Sequence, residues 1–189
     1  MTDDLFDDRR ITAMGLFAEV YSGLIARAGE QLSGHGVSGV EFEVLIRLAR
    51  SPRHQLRMTE LAAQTQLTTS GITRVVDRLE RTELVRRQAC PTDRRSSFTV
   101  ITDAGLDRLA AILPGHVELI DRWFTGLLAP DQLDQLLESL RVIRDAVRPD
   151  ATSGATCAAG GPTGLQAPEA QGGAAPAGIP AGPDSQSAI

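Results

Sequence analysis

No lysine occurs in this 189-residue chain; all 19 basic residues are arginine. With abundant alanine and glycine, that bias suggests a GC-rich bacterial genome and says nothing about mechanism. Only two cysteines are present, Cys90 and Cys157. The second falls in a stretch with little to bury, so a structural disulfide is not expected and a reducing compartment fits. No run approaches the roughly 20 apolar residues of a membrane span. The opening MTDDLFDDRR is charged and lacks the apolar stretch of a signal peptide. A soluble, cytoplasmic chain with no membrane partner is therefore expected. His35, His54 and His116 are isolated, and no Cys or His has ligand spacing to another, so no metal is expected. No paired nucleophile and base, glycine-rich phosphate loop or carboxylate constellation can be picked out. These absences turn the reading away from an enzyme and from any cofactor.

What is present shows first in the distribution of charge. The chain carries a net −5, yet residues 57–95 hold eight arginines against five acids, a local +3. Residues 1–56, 96–149 and 150–189 are each net acidic. Whole-chain charge is the wrong quantity when a small face does the binding. On charge alone, a plain solvated surface explains the patch equally well. Between residues 149 and 189, 25 of 41 residues are Gly, Pro or Ala. Such a segment cannot bury enough to order itself, and a disordered tail is expected there. The length suits one domain, which the composition places at residues 1–148.

Within that domain the helical period dominates. Met14, Phe17, Tyr21, Leu24, Ile25 and Ala28 recur at spacings of three and four, marking one apolar stripe on a long helix that Gly34 and Gly36 end. Ser38 and Glu41 form a capping-box pattern, opening a helix whose inward face reads as Phe42, Leu45, Ile46 and Ala49 and which Ser51-Pro52 closes. A long helix is expected over 103–127. After the start signal Ala129-Pro130-Asp131, the residues Leu133, Leu136, Leu137, Leu140, Ile143 and Val147 carry the same period.

Between these lie two short helices. The first, from Thr59 as N-cap to Leu67, would turn Leu61, Ala62 and Leu67 inward. The second is capped by Thr68 and runs over 69–81, with Ile72, Val75, Val76 and Leu79 on its apolar face. Its other face carries Ser70, Thr73, Arg74, Asp77, Arg78 and Arg81. Short polar side chains near its start can approach base edges, Arg74 can take a guanine bidentately, and Arg78 or Arg81 can reach phosphates. Taken alone, the same helix also reads as an amphipathic one with a solvated face. The sequel tips the balance: 84–89 and 98–101 read as strands joined by a loop with Arg94 and Arg95 at its tip. A hairpin after a recognition helix is a wing, and its arginines suit a narrow, electronegative minor groove. Asp93 either orients a neighbouring arginine or forms the turn after Pro91.

The ordered set Leu61-Ala62, Leu67-Thr68, Arg74-Val75-Val76-Asp77-Arg78-Leu79-Glu80, Leu84-Val85, Arg87, Asp93, Arg95, Thr99, Ile101-Thr102 and Gly105 resembles the MarR family of bacterial regulators. The motifs cover 57–105, and the flanking helices extend the likeness to about 10–148. The resemblance implies a mainly α fold with a small wing (α+β by the wing alone): a winged helix-turn-helix at 38–105 between dimerisation helices at 10–37 and 106–148. It implies a homodimer on an inverted repeat in double-stranded DNA, acting as a repressor. By position, Thr69, Ser70, Thr73 and Arg74 would face bases and Arg95 would enter the minor groove. Asp93 would brace Arg95, while Arg94 and Arg78 would meet phosphates. One departure is Glu83, where the family usually has Gly. If that position needs positive φ, a side chain costs about 1 kcal/mol.

Dimerisation has separate support, since a winged module of about 50 residues cannot bury both flanking stripes. Packing of the two helices on each other within one chain is the alternative. The resemblance also implies a small, often aromatic or phenolic, effector in a cleft between the dimer helices and the winged module. Candidates there are Arg10, Met14, Phe17, Phe42, Arg47, His116 and Trp123; for Met14 and the aromatics, ordinary core is the competing reading. Cys90, at the base of the wing near several arginines, is a candidate redox site. A winged module that binds protein, or an architectural DNA binder without an effector, remains open at this stage.

Overall fold

Start signals read from the sequence open three of the described helices in the computed structural model, which describes residues 6–89 and 97–152. Helix α1, Arg9–Ser33, is capped by Asp8, whose carboxylate accepts from the Arg10 amide at 2.8 Å. Helix α2, Gly39–Arg50, carries the expected capping box: Ser38 Oγ accepts from the Glu41 amide, and Glu41 Oε2 accepts from the Ser38 amide at 2.9 Å. A strand without a sequence signature follows. β1, Gln55–Arg57, is too short to show alternation and exists because β3 pairs with it.

Helix α3, Met58–Thr65, starts earlier than its hydroxyl signal suggests. The cap is Arg57, left extended by β1, and Glu60 accepts its amide at 2.9 Å, so Thr59 lies inside the helix rather than at its start. Helix α4, Thr69–Arg81, follows the tight turn 66–68. Strands β2, Val85–Ala89, and β3, Ser97–Ile101, complete an antiparallel sheet ordered β1-β3-β2. Helix α5, Asp103–Trp123, stops short of the expected 127 because Phe124 leaves helical geometry; a 3-10 turn takes Thr125–Leu127. Helix α6, Pro130–Val147, begins at its predicted proline. A last 3-10 turn, Pro149–Thr152, lies just past the expected domain end. It is held by Arg47 donating to the Ala151 carbonyl at 2.9 Å, and Arg148 donates to the Gln64 carbonyl at 2.7 Å.

The core belongs to the winged module. Val44, Leu45, Leu48, Leu56, Leu61, Ile72 and Val76 are fully buried. The buried face of α2 is centred on Val44, Leu45 and Leu48, with Phe42, Ile46 and Ala49 only partly buried around it. That rotation arises because α2 is covered on more than one side, by α1, α3, α5 and the sheet. The long helices differ. On α1 only Leu32 is buried, Phe17 and Tyr21 are 55% and 58% exposed, and no residue of α6 is buried. Among the described residues, no helix is long and apolar enough to cross a membrane.

Candidate nucleic-acid interface

The outward face of α4 is set by its cap and its buried stripe. Thr68 Oγ1 accepts from the Gly71 amide at 3.1 Å, and Ile72, Val75, Val76 and Leu79 are all buried as expected. Those anchors leave Thr69, Ser70 and Arg74 exposed at the helix start and Asp77, Arg78 and Arg81 further along. Thr73 is half-buried and donates to the Thr69 carbonyl at 2.7 Å, so its methyl and oxygen lone pairs are what it can offer a base. Ser70 Oγ lies 3.1 Å from Thr68 Oγ1. Arg74 and Arg81 have no acidic partner among the described residues, and with Asp77, Arg78 and Glu80 they line an open groove along the helix.

Arg78 has a second task that spacing could not reveal. Its Nε donates to Glu41 Oε1 at 2.9 Å, joining α4 to the capping box of α2, while the side chain stays 46% exposed. Burial pushes the Glu41 carboxyl up, but the Ser38 amide, the Arg78 guanidinium and the Ser38 hydroxyl outweigh it and hold the group below its ordinary value. Glu41 therefore stays ionised and keeps α4 oriented.

Arg87 on β2 is a residue that sequence reasoning did not place in the site. It reaches Asp77 at 2.5 Å and pairs with Glu80, whose Oε1 also accepts the Arg87 amide at 3.0 Å. Burial lowers its pKa, but hydrogen bonds and charge from Asp77 and Glu80 outweigh that and raise it further. One cation thus pairs with both carboxylates of α4, halving their net charge, and ties the helix to the wing strand. The available signal was Asp77 and Glu80 one turn apart on the helix that precedes an arginine-bearing strand.

The end of α4 answers the question posed by Glu83. Its φ is +60°, so the position does take left-handed geometry without glycine. The amides of Glu83 and Leu84 donate to the Glu80 and Leu79 carbonyls, both at 3.0 Å, closing a Schellman motif. Thr102 Oγ1 then donates to the Glu83 carbonyl at 2.7 Å and accepts from the Gly105 amide at 3.0 Å.

The wing residues Asp93, Arg94 and Arg95, and Cys90, lie outside the described residues. Of the seven effector candidates, the structure brings together Phe42 and His116, with ring centroids 4.6 Å apart. His116 Nδ1 also lies 3.1 Å from Gln31 Oε1, and burial lowers the histidine's pKa. The others sit in separate surroundings within the chain. Arg10 is paired with Asp8; Met14 and Phe17 lie on the exposed stripe of α1; Arg47 is bonded to Glu43, Gln64 and Ala151; Trp123 is flanked by Arg27 and Arg122. Among the described residues no three of His, Cys, Asp or Glu are placed to hold a metal ion.

Comparison with known proteins agrees with this geometry. The model of the MarR family matches residues 35–96. The HTH-type transcriptional regulator YkoM of Bacillus subtilis (strain 168) is 31% identical over 135 residues, spanning 71% of this chain and 85% of that protein. AbsC, a MarR family transcriptional regulator from Streptomyces coelicolor, is similar in structure with a TM-score of 0.69 at 32% identity, over 75% of this chain and 96% of its own. Sco3205, a MarR family regulator from the same organism solved in complex with DNA, gives a TM-score of 0.67 at 34% identity, over 73% of this chain and 87% of its own. With that level of identity over most of the folded region, the chain belongs to the MarR family of transcriptional regulators.

Proposed function

We propose that the chain is a homodimeric repressor that binds an inverted-repeat operator in double-stranded DNA and is released by a small molecule. The observation that carries the reading is the exposed start of α4: Thr69, Ser70 and Arg74 are held outward by a capped, fully anchored helix. Thr69, Ser70, Thr73 and Arg74 face the bases in the major groove, and Arg78 touches phosphate with the nitrogens that Glu41 leaves. At the wing Arg95 enters the minor groove, Asp93 orients it and Arg94 meets the backbone. Pairing of two copies covers the apolar stripe of α1 and the faces of α5 and α6, which the single chain leaves in water. A dimer seated over a promoter blocks polymerase without further contacts, and the place of action is the nucleoid in the cytoplasm. The DNA-bound relative supports the first part of this reading; the effector rests on family likeness. No catalytic role is assigned.

The test is fluorescence anisotropy of the purified chain on its own upstream intergenic DNA at two salt concentrations, beside Arg74→Ala and Arg95→Ala. Specific binding that weakens steeply with salt and drops at least about tenfold in either variant is expected. Binding that ignores salt, or survives both substitutions, would overturn the assignment of these residues.

A further inference from the structure

Beside the second half of α4, a groove runs between the turn that joins α1 to α2 and the first turns of α5. Its charged lining is three arginines and one acid: Arg78, Arg81, Arg108 and Glu41. Arg81 and Arg108 have no carboxylate partner among the described residues; Arg108 donates to the His35 carbonyl at 2.9 Å. The acid is set against Arg78, whose Nε donates to Glu41 Oε1 at 2.9 Å. The other oxygen of Glu41, Oε2, accepts from the Ser38 amide at 2.9 Å and from the Ser38 hydroxyl at 2.7 Å. Three bonds thus pin a carboxylate whose side chain is 15% exposed, and it is not free to swing aside when a phosphate approaches Arg78.

We propose that Glu41 is a specificity-determining residue for DNA that acts through Arg78. By taking the Nε side of the guanidinium and offsetting its charge, it lets Arg78 grip the backbone firmly only where Thr69, Ser70 and Arg74 have already seated α4 on matching bases. The inference rests on the operator-binding reading above. A guanidinium offers an anion either its side-on fork, Nε with one terminal nitrogen, or its end-on fork, Nη1 with Nη2. With Nε spent on Glu41, only the end-on fork is left for phosphate. Non-specific binding is almost wholly attraction to phosphate, whereas specific binding adds contacts to base edges. Restraining one phosphate-seeking cation therefore weakens the first more than the second. Discrimination is the difference between the two affinities, so the pinned acid raises it while lowering attraction to DNA at large.

The experiment is fluorescence anisotropy of the full chain across a salt series, on its upstream intergenic DNA and on a scrambled duplex of the same length and composition. Parent, Glu41→Gln, Arg78→Gln and the double variant are compared, each with its melting temperature. Glu41→Gln keeps an oxygen to accept the Ser38 amide and removes the charge. It should tighten binding to the scrambled duplex about fivefold, change binding to the intergenic DNA by less than about twofold, and steepen the salt dependence by about one phosphate contact. In the Arg78→Gln background the same substitution should change neither affinity by more than about twofold. Loss of a merely structural cap would instead weaken binding to both duplexes and lower the melting temperature. That result, an unchanged ratio of the two affinities, or an equal gain in the Arg78→Gln background overturns the proposal. A parent that does not tell the two duplexes apart sinks the operator reading as well, whereas a discriminating parent whose ratio survives Glu41→Gln sinks the role of Glu41 alone.

Discussion

The winged module and the helices that flank it are written in the same pattern and end in opposite surroundings. Ile72, Val75, Val76 and Leu79 on α4 recur at three and four residues, and all are buried. Met14, Phe17, Tyr21 and Ile25 on α1 keep that spacing, and each exposes more than half of its surface. Helical periodicity reports that a face is apolar, not whose surface covers it. In the winged module the covering groups come from the same chain. For the flanks the proposed answer is a second copy, so the first region should be stable at any concentration and the second should not.

The sharpest way to break the first half of that comparison is Gly105→Val. A Cβ there would stand 2.2 Å from the Leu84 carbonyl oxygen and 2.6 Å from Ile101 Cγ1. Urea unfolding should show a loss of at least about 3 kcal/mol, and a loss below about 1 would mean that α5 can slide away from the sheet. The contrast between the regions is tested by pairing Leu45→Ala with Phe17→Ser/Tyr21→Ser. The core variant should lose about 3 kcal/mol whatever the protein concentration. The α1 variant should become monomeric in sedimentation equilibrium with the winged module still folded; a persisting dimer would place the interface elsewhere.

Smaller effects sharpen the picture. Arg87→Ala should weaken DNA binding about tenfold by uncovering Asp77 and Glu80 toward the phosphates. Adding Asp77→Asn and Glu80→Gln should restore most of that loss, and failure to do so would show that Arg87 itself touches DNA. Glu83→Gly should stabilise the module by about 1 kcal/mol by relieving positive φ, read from the urea midpoint. The smallest effect is pH-linked. Burial favours neutral His116, so the unfolded chain holds more protons between the lowered folded pKa and the ordinary value near 6.5. Stability should therefore fall as pH drops below about 6.5 and through the lowered value, and His116→Gln should flatten that part of the profile.

What the sequence made legible was local. Thr68 as a cap, the Ser38/Glu41 box, the proline start of α6 and the buried stripe of α4 each depend on residues within a turn or two of one another. The departures come from partners far apart in the chain. β1 exists through β3, Arg57 becomes a cap because β1 leaves it extended, and Arg78 finds Glu41 37 residues earlier. The effector candidates share only their helices' border on the cleft, and helix membership fixes a face but not a neighbour. Phe42 and His116 did meet; Arg10 and Trp123 found other partners nearby.

The junction of α4 and α5 acts as a rigid elbow. Thr102 bonds the last carbonyl of the Schellman motif with one hydroxyl and caps α5 with the same oxygen, its amide takes the Leu84 carbonyl at 3.1 Å, and Gly105 leaves no gap beside Leu84. Through that joint α5 is coupled to the end of α4, α5 being the long arm and α4 the short one. A tilt of α5 that preserves this joint carries Thr69, Ser70 and Arg74 with it, so in the proposed dimer the distance between the two copies of that face depends on how their α5 helices cross.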